Sequence, residues 1–379
     1  MTHRSGIDFN NLAGSIKRLG PGALKTKVVA GFDGFVDTIV RVILEKPAGG
    51  SPTYFQTKKG FAEYIIEKEG SSFSLEMDEL NVKAGGNTPI MANALGTLGF
   101  PVQCIGALGY PSMHPAFAGL SSNCTTHSFA APGISTAVEF EDGKMILGQM
   151  GQLHTTGWGQ VKNRVGLQNL REIYSGVDLL CFLNWSEIEV SSEIWTGILE
   201  EILPSCATGK RPMAFFDLAD CSGKSSDSIR KLLELLAKFS RYADVTLGLN
   251  LNEAKILFNL GNDSPRMETL EKMAEKIFEK LSVQTLLLHS SLEAVAVDNS
   301  GCVGVRGFFI EKPLLSTGAG DNFNAGFCAG LLLKKDLETA LLFGHAVAAL
   351  YMQAGKSPTL AELADYFTTR DQDAIPSET

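Results

Sequence analysis

Near the end of the chain, Ser316-Thr317-Gly318-Ala319-Gly320-Asp321-Asn322-Phe323-Asn324-Ala325-Gly326-Phe327 sets small residues and one carboxylate at the mouth of an apolar helix. Phe323, Phe327 and Leu331 recur at helical spacing, whereas Gly318 and Gly320 are poor helix formers, so the loop ends about where Asp321 begins. The first N–H groups of a helix lack intrahelical partners and carry the positive end of its dipole. Beside side chains this small, a phosphate reaches them directly. The chemistry that uses such a cradle next to a carboxylate is phosphoryl transfer to a hydroxyl. The N–H groups of Gly318, Ala319 and Gly320 would hold the developing charge, and Asp321 would take the hydroxyl proton. At a helix N-terminus Asp321 is expected to stay ionised; it then repels phosphate, so a cation is expected nearby. A glycine turn whose Asp only caps the helix is the plain alternative.

Two other glycine motifs fail on counting. Gly318, Gly320 and Gly326 lack the dinucleotide fingerprint's spacing, and Leu218 stands where a P-loop ending Gly223-Lys224-Ser225 needs its first Gly. Asn250 and Glu253 follow the apolar Leu247-Gly248-Leu249 and lie three apart at a helix start. Both can face a crevice and hold water around a nucleotide-bound Mg2+, and the same pattern also reads as a capping box. Asp217 follows Phe215-Phe216 at another strand end, and Gly85-Gly86-Asn87-Thr88-Pro89 opens a small-residue helix expected over 90–98.

These residues need a scaffold. Apolar runs at 27–32, 102–108, 177–183, 212–216, 244–249 and 284–289 read as buried strands. Helices are expected at 194–203, 228–239, 251–259, 267–281, 336–353 and 360–367, with Ser264-Pro265 as a start signal for 267–281. Such alternation implies an α/β fold: a doubly wound, mainly parallel sheet flanked by helices, with sites at the carboxyl ends of its strands. Extended segments at 36–43 and 73–82, a surface helix at 59–68, and a hairpin turning on Asp142-Gly143 lack that alternation and suggest a small separate sheet. Residues 1–26, with Leu12, Ile16 and Leu19 at helical spacing, read as an appended helix, and 368–379 as a polar tail.

A chain of 379 residues that is 44% hydrophobic can bury a sizeable core, and a net charge of −9 argues against broad binding to nucleic acid or anionic membranes. Seven scattered Cys without CxxC spacing and six dispersed His argue against a metal held by protein ligands alone. With neither an apolar run near ~20 residues nor a signal region, the expected location is the cytoplasm.

Thr317-Gly318-Ala319-Gly320-Asp321, the NxxE of Asn250 to Glu253, and Gly85-Gly86 before a small-residue helix ending Leu98-Gly99 occur here in one order. In that order and spacing the chain, from 27 to 367, resembles the ribokinase, or PfkB, family of carbohydrate kinases. The resemblance implies ATP with Mg2+ as donor, Asp321 as catalytic base, Gly318 to Gly320 as anion hole, and Glu253 with Asn250 holding Mg2+ through water. It also implies sugar contacts from Asp33, Asp37, Gly85, Gly86 and Asn87, and nucleotide contacts from Asn250, His289, Ser291, Thr317 and His345. The extended segments near 36–83 and 134–150 match the family's lid, which often mediates a homodimer.

The departures are specific. Leu315 replaces an Asp linked in the family to monovalent cations, which argues against K+ activation. Ile90 replaces a sugar-binding Asn, shifting that role toward Asn87. His289 and Ser291 replace a Thr and a Gly, and His345 an Asn. The leading expectation is ATP-dependent phosphorylation of a sugar hydroxyl. The alternatives are an ADP-dependent kinase, faintly resembled by Gly85-Gly86-Asn87 with Ile90-Met91-Ala92-Asn93, and a non-catalytic sensor of the same fold.

Overall fold

Residues 7–19, 24–206, 209–261 and 268–369 are described by the computed structural model; Ser264-Pro265 and all but the first two residues of the tail lie outside them. The apolar runs become strands of a nine-stranded sheet: β1 (Val28–Gly31), β5 (Val102–Gly106), β6 (Cys124–Ser128), β9 (Leu179–Phe182), β10 (Met213–Asp217), β11 (Asp244–Asn250), β12 (Thr285–His289), β13 (Glu293–Asp298) and β14 (Gly301–Arg306). Their spatial order is β14-β13-β12-β11-β10-β9-β1-β5-β6. From β12 to β6 all neighbours are parallel, and β13 and β14 add an antiparallel hairpin at one edge. The mainly parallel sheet agrees with the sequence expectation. Neither the edge hairpin nor β6 is among the expected strands, and β6, at the far edge of the sheet, carries weak apolar patterning.

Alternate residues of the central strands feed two cores. Val29, Leu180 and Phe182 face one side, and Val28, Ala30, Leu179 and Cys181 the other. On the first side Phe182 stacks on Phe216 at 4.8 Å and 7°, with Phe239 and Trp195 edge-on. This knot lies directly under the carboxyl ends of β9 and β10 and holds them rigid. Helices Asn87–Thr97, Ala319–Leu332, Leu337–Ala354 and Leu360–Thr369 cover the second side. Helix Phe9–Lys17 joins them there, stacking Phe9 on Phe367 at 5.8 Å.

Several bounds differ from expectation. Two eight-residue helices, Trp158–Val165 and Leu167–Tyr174, are too short to register as periodicity and are divided by Gly166 at φ +92°. The continuous helix expected over 194–203 is instead an α segment, Ser191–Gly197, a π turn over Ile198–Ile202, and a final 3-10 turn at Pro204, whose ring supplies no N–H.

The second sheet has five strands, centred on β2 (Phe35–Glu45), which leaves the first sheet just past β1. β4 (Met77–Gly85) pairs antiparallel with β2, β7 (Gly133–Phe140) parallel with it, β8 (Gly143–Gln149) antiparallel with β7, and the short β3 (Thr53–Tyr54) caps one end. Helix Lys58–Glu67 covers part of one face through Phe61 and Tyr64 on Val40, Val42, Phe55 and Val138. Phe140 pairs with Gly143, so the hairpin turns on Glu141-Asp142 rather than Asp142-Gly143, and Gly143 opens β8 at φ +122°. β4 starts later than expected and runs on to Gly85, because its ladder with β2 continues until Phe35 meets Gly85.

Candidate active site

Two glycine junctions meet at the carboxyl ends of the strands. At the first, β4 ends on Gly85 and helix Asn87–Thr97 begins two residues later, earlier than the expected 90. Asp33 explains the early start. Its carboxylate accepts from the backbone N–H groups of Asn87 at 2.8 Å and Thr88 at 2.7 Å, capping the helix from across the fold. Asp33 is fully buried; burial raises its carboxyl and these hydrogen bonds hold it down. Asp37, on β2, lies over Gly85, where a Cβ would sit 2.3 Å from its Oδ1. A Cβ on Gly86 would come within 2.7 Å of Asp33 Oδ2, and Gly86 itself has φ +90°. Both glycines are therefore required by the carboxylates that press on them. Burial raises the Asp37 carboxyl, while Lys83 and a hydrogen bond from Ser135 oppose it.

At the second junction Gly318 takes the left-handed conformation at φ +90° and helix Ala319–Leu332 follows. Tyr351 donates its hydroxyl to the Thr317 carbonyl at 2.7 Å, pinning the loop. Ala319 N–H is taken by the Ser316 carbonyl at 3.1 Å, a departure from the expected three open donors. Among the described residues the N–H groups of Gly318 and Gly320 have no such acceptor. Asp321 is half-buried in the first turn, and Asn87 donates Nδ2 to its Oδ1 at 2.9 Å. One bond thus joins the two junctions across 234 residues.

Burial pushes the Asp321 carboxyl well above the ordinary range, the charges of Asp217 and Asp33 add to it, and the Asn87 hydrogen bond opposes it. Burial and the neighbouring carboxylates thus oppose the hold on the ionised form that was expected from the helix N-terminus. A helix end contributes roughly 0.3–1 kcal/mol, less than burial beside like charges.

Asn250 and Glu253 form a complete capping box. Asn250 Oδ1 accepts from Asn252 N–H at 2.9 Å and Glu253 N–H at 3.1 Å, while Glu253 Oε2 accepts from Asn250 N–H at 2.9 Å. Asn250 Nδ2 also donates to Glu253 Oε1, so the amide is engaged at both ends. Glu253 is 2% exposed, and burial followed by repulsion from Asp217 pushes its carboxyl up to about 9. Among the described residues no three His, Cys, Asp or Glu converge into a metal cage. What the site presents is oxygen donors crowded with negative charge, and that chemistry fits a hard divalent cation carried in on phosphates with most of its water.

In register with Asn250, β12 ends on His289. Its ring stacks on Phe323 at 4.7 Å, and Gly320 lies beside it, where a Cβ would be 3.8 Å from Cε1. His345 meets Phe323 at 5.0 Å but is buried behind it, with Nε2 lacking a partner. Burial lowers His289 to about 4 and His345 to about 3, so both imidazoles are neutral at pH 7. Ser291 is exposed in the turn between β12 and β13.

Sequence reasoning missed Asn184. It is buried at φ +56° just past β9 and donates Nδ2 to Asp33 Oδ2 at 3.0 Å and to Glu187 Oε2 at 2.9 Å. A polar residue directly after the apolar run 177–183 was the available signal. A cavity of about 170 Å3 lies at the opposite, amino-terminal ends of β9 to β11, lined in part by Tyr174, Lys210, Arg211 and Arg241. Structure accounts for most of its charge: Arg211 bonds Asp244 and the carbonyls of Ser240, Arg241 and Ala243, and Lys210 pairs with Asp178.

The chain resembles known proteins along nearly its whole length. A family model described as prokaryotic ketohexokinase matches residues 12–369. A ketohexokinase of Haloferax volcanii is 28% identical over 340 residues, 89% of each chain. Among solved structures, adenosine kinase from Sinorhizobium meliloti superposes with a TM-score of 0.63 at 17% identity, covering 90% of this chain and 98% of that one. The Arabidopsis thaliana ribokinase complexed with ribose and ATP gives 0.60 at 17% identity, covering 91% and 99%. The chain belongs to the prokaryotic ketohexokinase family, and it is a carbohydrate kinase with a ribokinase-like fold.

Proposed function

We propose that this kinase transfers the terminal phosphoryl group of ATP to a hydroxyl of a ketohexose, with Asp321 as the base. The observation that carries this reading is the Asn87–Asp321 bond, which sets a carboxylate beside a helix N-terminus and against the loop of the sugar side. Asp37 accepts hydrogen bonds from the sugar hydroxyls, and Asn87 aligns Asp321 with the acceptor hydroxyl. Asp33 acts behind them, as the cap that holds the Gly86 turn. Gly318 and Gly320 N–H groups hold the transferring phosphoryl oxygens, and Asp321 removes the acceptor proton. His289 flanks the phosphates as a neutral donor. Glu253, steadied by Asn250, would hold Mg2+ through water, and the ion when bound would neutralise phosphate charge. The choice of a ketohexose is supported by the family and by the name of the Haloferax relative.

The test is nucleoside diphosphate release with ATP and Mg2+ across ketohexoses, aldohexoses, pentoses and nucleosides. Ketohexoses should stimulate release most. Stimulation by nucleosides alone would overturn the substrate, and activity with ADP but not ATP would overturn the donor.

Glu253 also makes a pH prediction. Its value in the folded chain, about 9, lies above the ordinary 4.5, so folding takes up a proton between them and stability falls as pH rises through that window. Without ligands the melting temperature should fall from pH 6 to pH 9, and Glu253→Gln should flatten the fall, since Gln keeps an oxygen for the Asn250 N–H. The same variant should need more Mg2+ for half-maximal activity; an unchanged metal titration would remove Glu253 from the cation site.

The second sheet acts as a lid whose outer row, Val82, Thr38, Thr136 and Leu147, runs across four adjacent strands. Val82 and Leu147 are 41% and 54% exposed, and a second copy of the chain is the proposed cover. Sedimentation should show a dimer that Leu147→Glu dissociates; a monomeric wild type would end this reading.

A further inference from the structure

A buried side-chain hydrogen bond ties the helix that carries Asp321 to the main sheet. Asn324 lies three residues beyond Asp321, on the same helix face, and donates Nδ2 to Asp217 Oδ2 at 3.0 Å. Asp217 ends β10, is 8% exposed, and gives its other oxygen to the Ala219 N–H at 3.0 Å. Ala219 holds φ +54°, so the turn that presents Asp217 is shaped around this bond. Both carboxylate oxygens are therefore committed to protein. Asn324 is 2% exposed and its Oδ1 is buried without a partner. Phe216, the residue before Asp217, belongs to the stacked aromatic knot, which makes β10 a rigid anchor.

We infer that Asp217 and Asn324 are a positioning pair for phosphoryl transfer, a brace that sets the Asp321 turn against the carboxyl end of β10. With both its carboxylate oxygens engaged by the Ala219 N–H and Asn324, Asp217 acts through Asn324. The inference rests on Asp321 being the base, which an Asp321→Asn measurement decides by itself.

The test is a double-mutant cycle read in kcat, in both KM values and in melting temperature. Asp217→Ala and Asn324→Ala should each lower kcat about ten- to a hundredfold, the scale of a misplacement near 1 Å. KM for nucleotide and for sugar should stay within about threefold, and the double variant should be no worse than the worse single one. Asp217→Asn supplies the discriminating rescue. Its amide oxygen still accepts from Ala219, and its NH2 can donate to Asn324 Oδ1 once that amide turns, which keeps one hydrogen bond across the pair. This variant should recover most of the kcat lost in Asp217→Ala, with its kcat–pH profile shifted to lower pH because the charge that raises the Asp321 carboxyl is gone. A loss in Asp217→Asn as large as in Asp217→Ala, multiplicative losses in the double variant, or an unchanged kcat in either alanine variant would each overturn the brace. Should Asp217→Ala fail to fold, Asn324→Ala and Asp217→Asn decide alone: loss in the first with retention in the second supports the inference, and any other pattern refutes it.

Discussion

Asp321→Asn is expected to lower kcat by about 10²- to 10⁴-fold, the range that general base catalysis contributes, while leaving nucleotide affinity equal or tighter. The amide keeps an oxygen at the place of Oδ1, so the bond from Asn87 Nδ2, 2.9 Å long, survives and the loop keeps its shape. What is lost is the group that takes the acceptor proton. Affinity should not fall, because the substitution deletes a negative charge from a crevice that already holds Asp217, Asp33 and Glu253. Stability carries an independent sign. The Asp321 carboxyl lies well above its unfolded value, so keeping it ionised at neutral pH opposes folding, and the amide removes that cost. The variant should melt at or above the wild-type temperature without ligands. Single-turnover kinetics, calorimetric nucleotide binding and thermal melting on one preparation check all three. Parallel loss of turnover and binding would make Asp321 an anchor for the loop instead of the base.

The second large effect is expected at Gly318, with Gly320 as its counterpart. Gly318 has φ +90°, and a Cβ there would lie 2.9 Å from the Tyr351 hydroxyl. That hydroxyl cannot retreat without leaving the Thr317 carbonyl, so Gly318→Ala meets backbone strain and an immovable neighbour together. The loop should shift, and kcat/KM for ATP should drop about 100-fold or more, as expected for misplaced oxyanion donors. The melting temperature should fall as well. Gly320→Ala separates folding from function. Its Cβ would meet only His289 Cε1 at 3.8 Å, an ordinary contact, so the free protein should melt normally. Nucleotide binding should nevertheless weaken about tenfold, because the methyl group stands beside the N–H that a phosphate oxygen must reach. Normal nucleotide affinity in Gly320→Ala would show that phosphate does not approach this turn.

Much of this molecule is legible along the chain because the rules involved are local. Glycine's conformational freedom, helical spacing of Phe323 and Phe327, and the reciprocal caps of Asn250 and Glu253 act within about four residues. The alternation of apolar strands with amphipathic helices likewise specified a mainly parallel sheet, and its carboxyl ends as the place for polar residues. The edge strand β6 and the short helices before β9 lack strong local patterning and did not announce themselves.

Tertiary structure decided how those residues act on one another. Asp33 became a helix cap only because β1 delivers it under the amino terminus of a helix 54 residues away. Asn87 reached Asp321, and Asn324 reached Asp217, across spans of 234 and 107 residues. The balance of effects on the Asp321 carboxyl shifted for the same reason. A helix dipole can be read from sequence, whereas burial and the charges of Asp217 and Asp33 depend on where distant strands end. Local stereochemistry assigns each residue its own conformation, but electrostatics and desolvation sum over whatever the fold brings near, and that sum is what sets the chemistry.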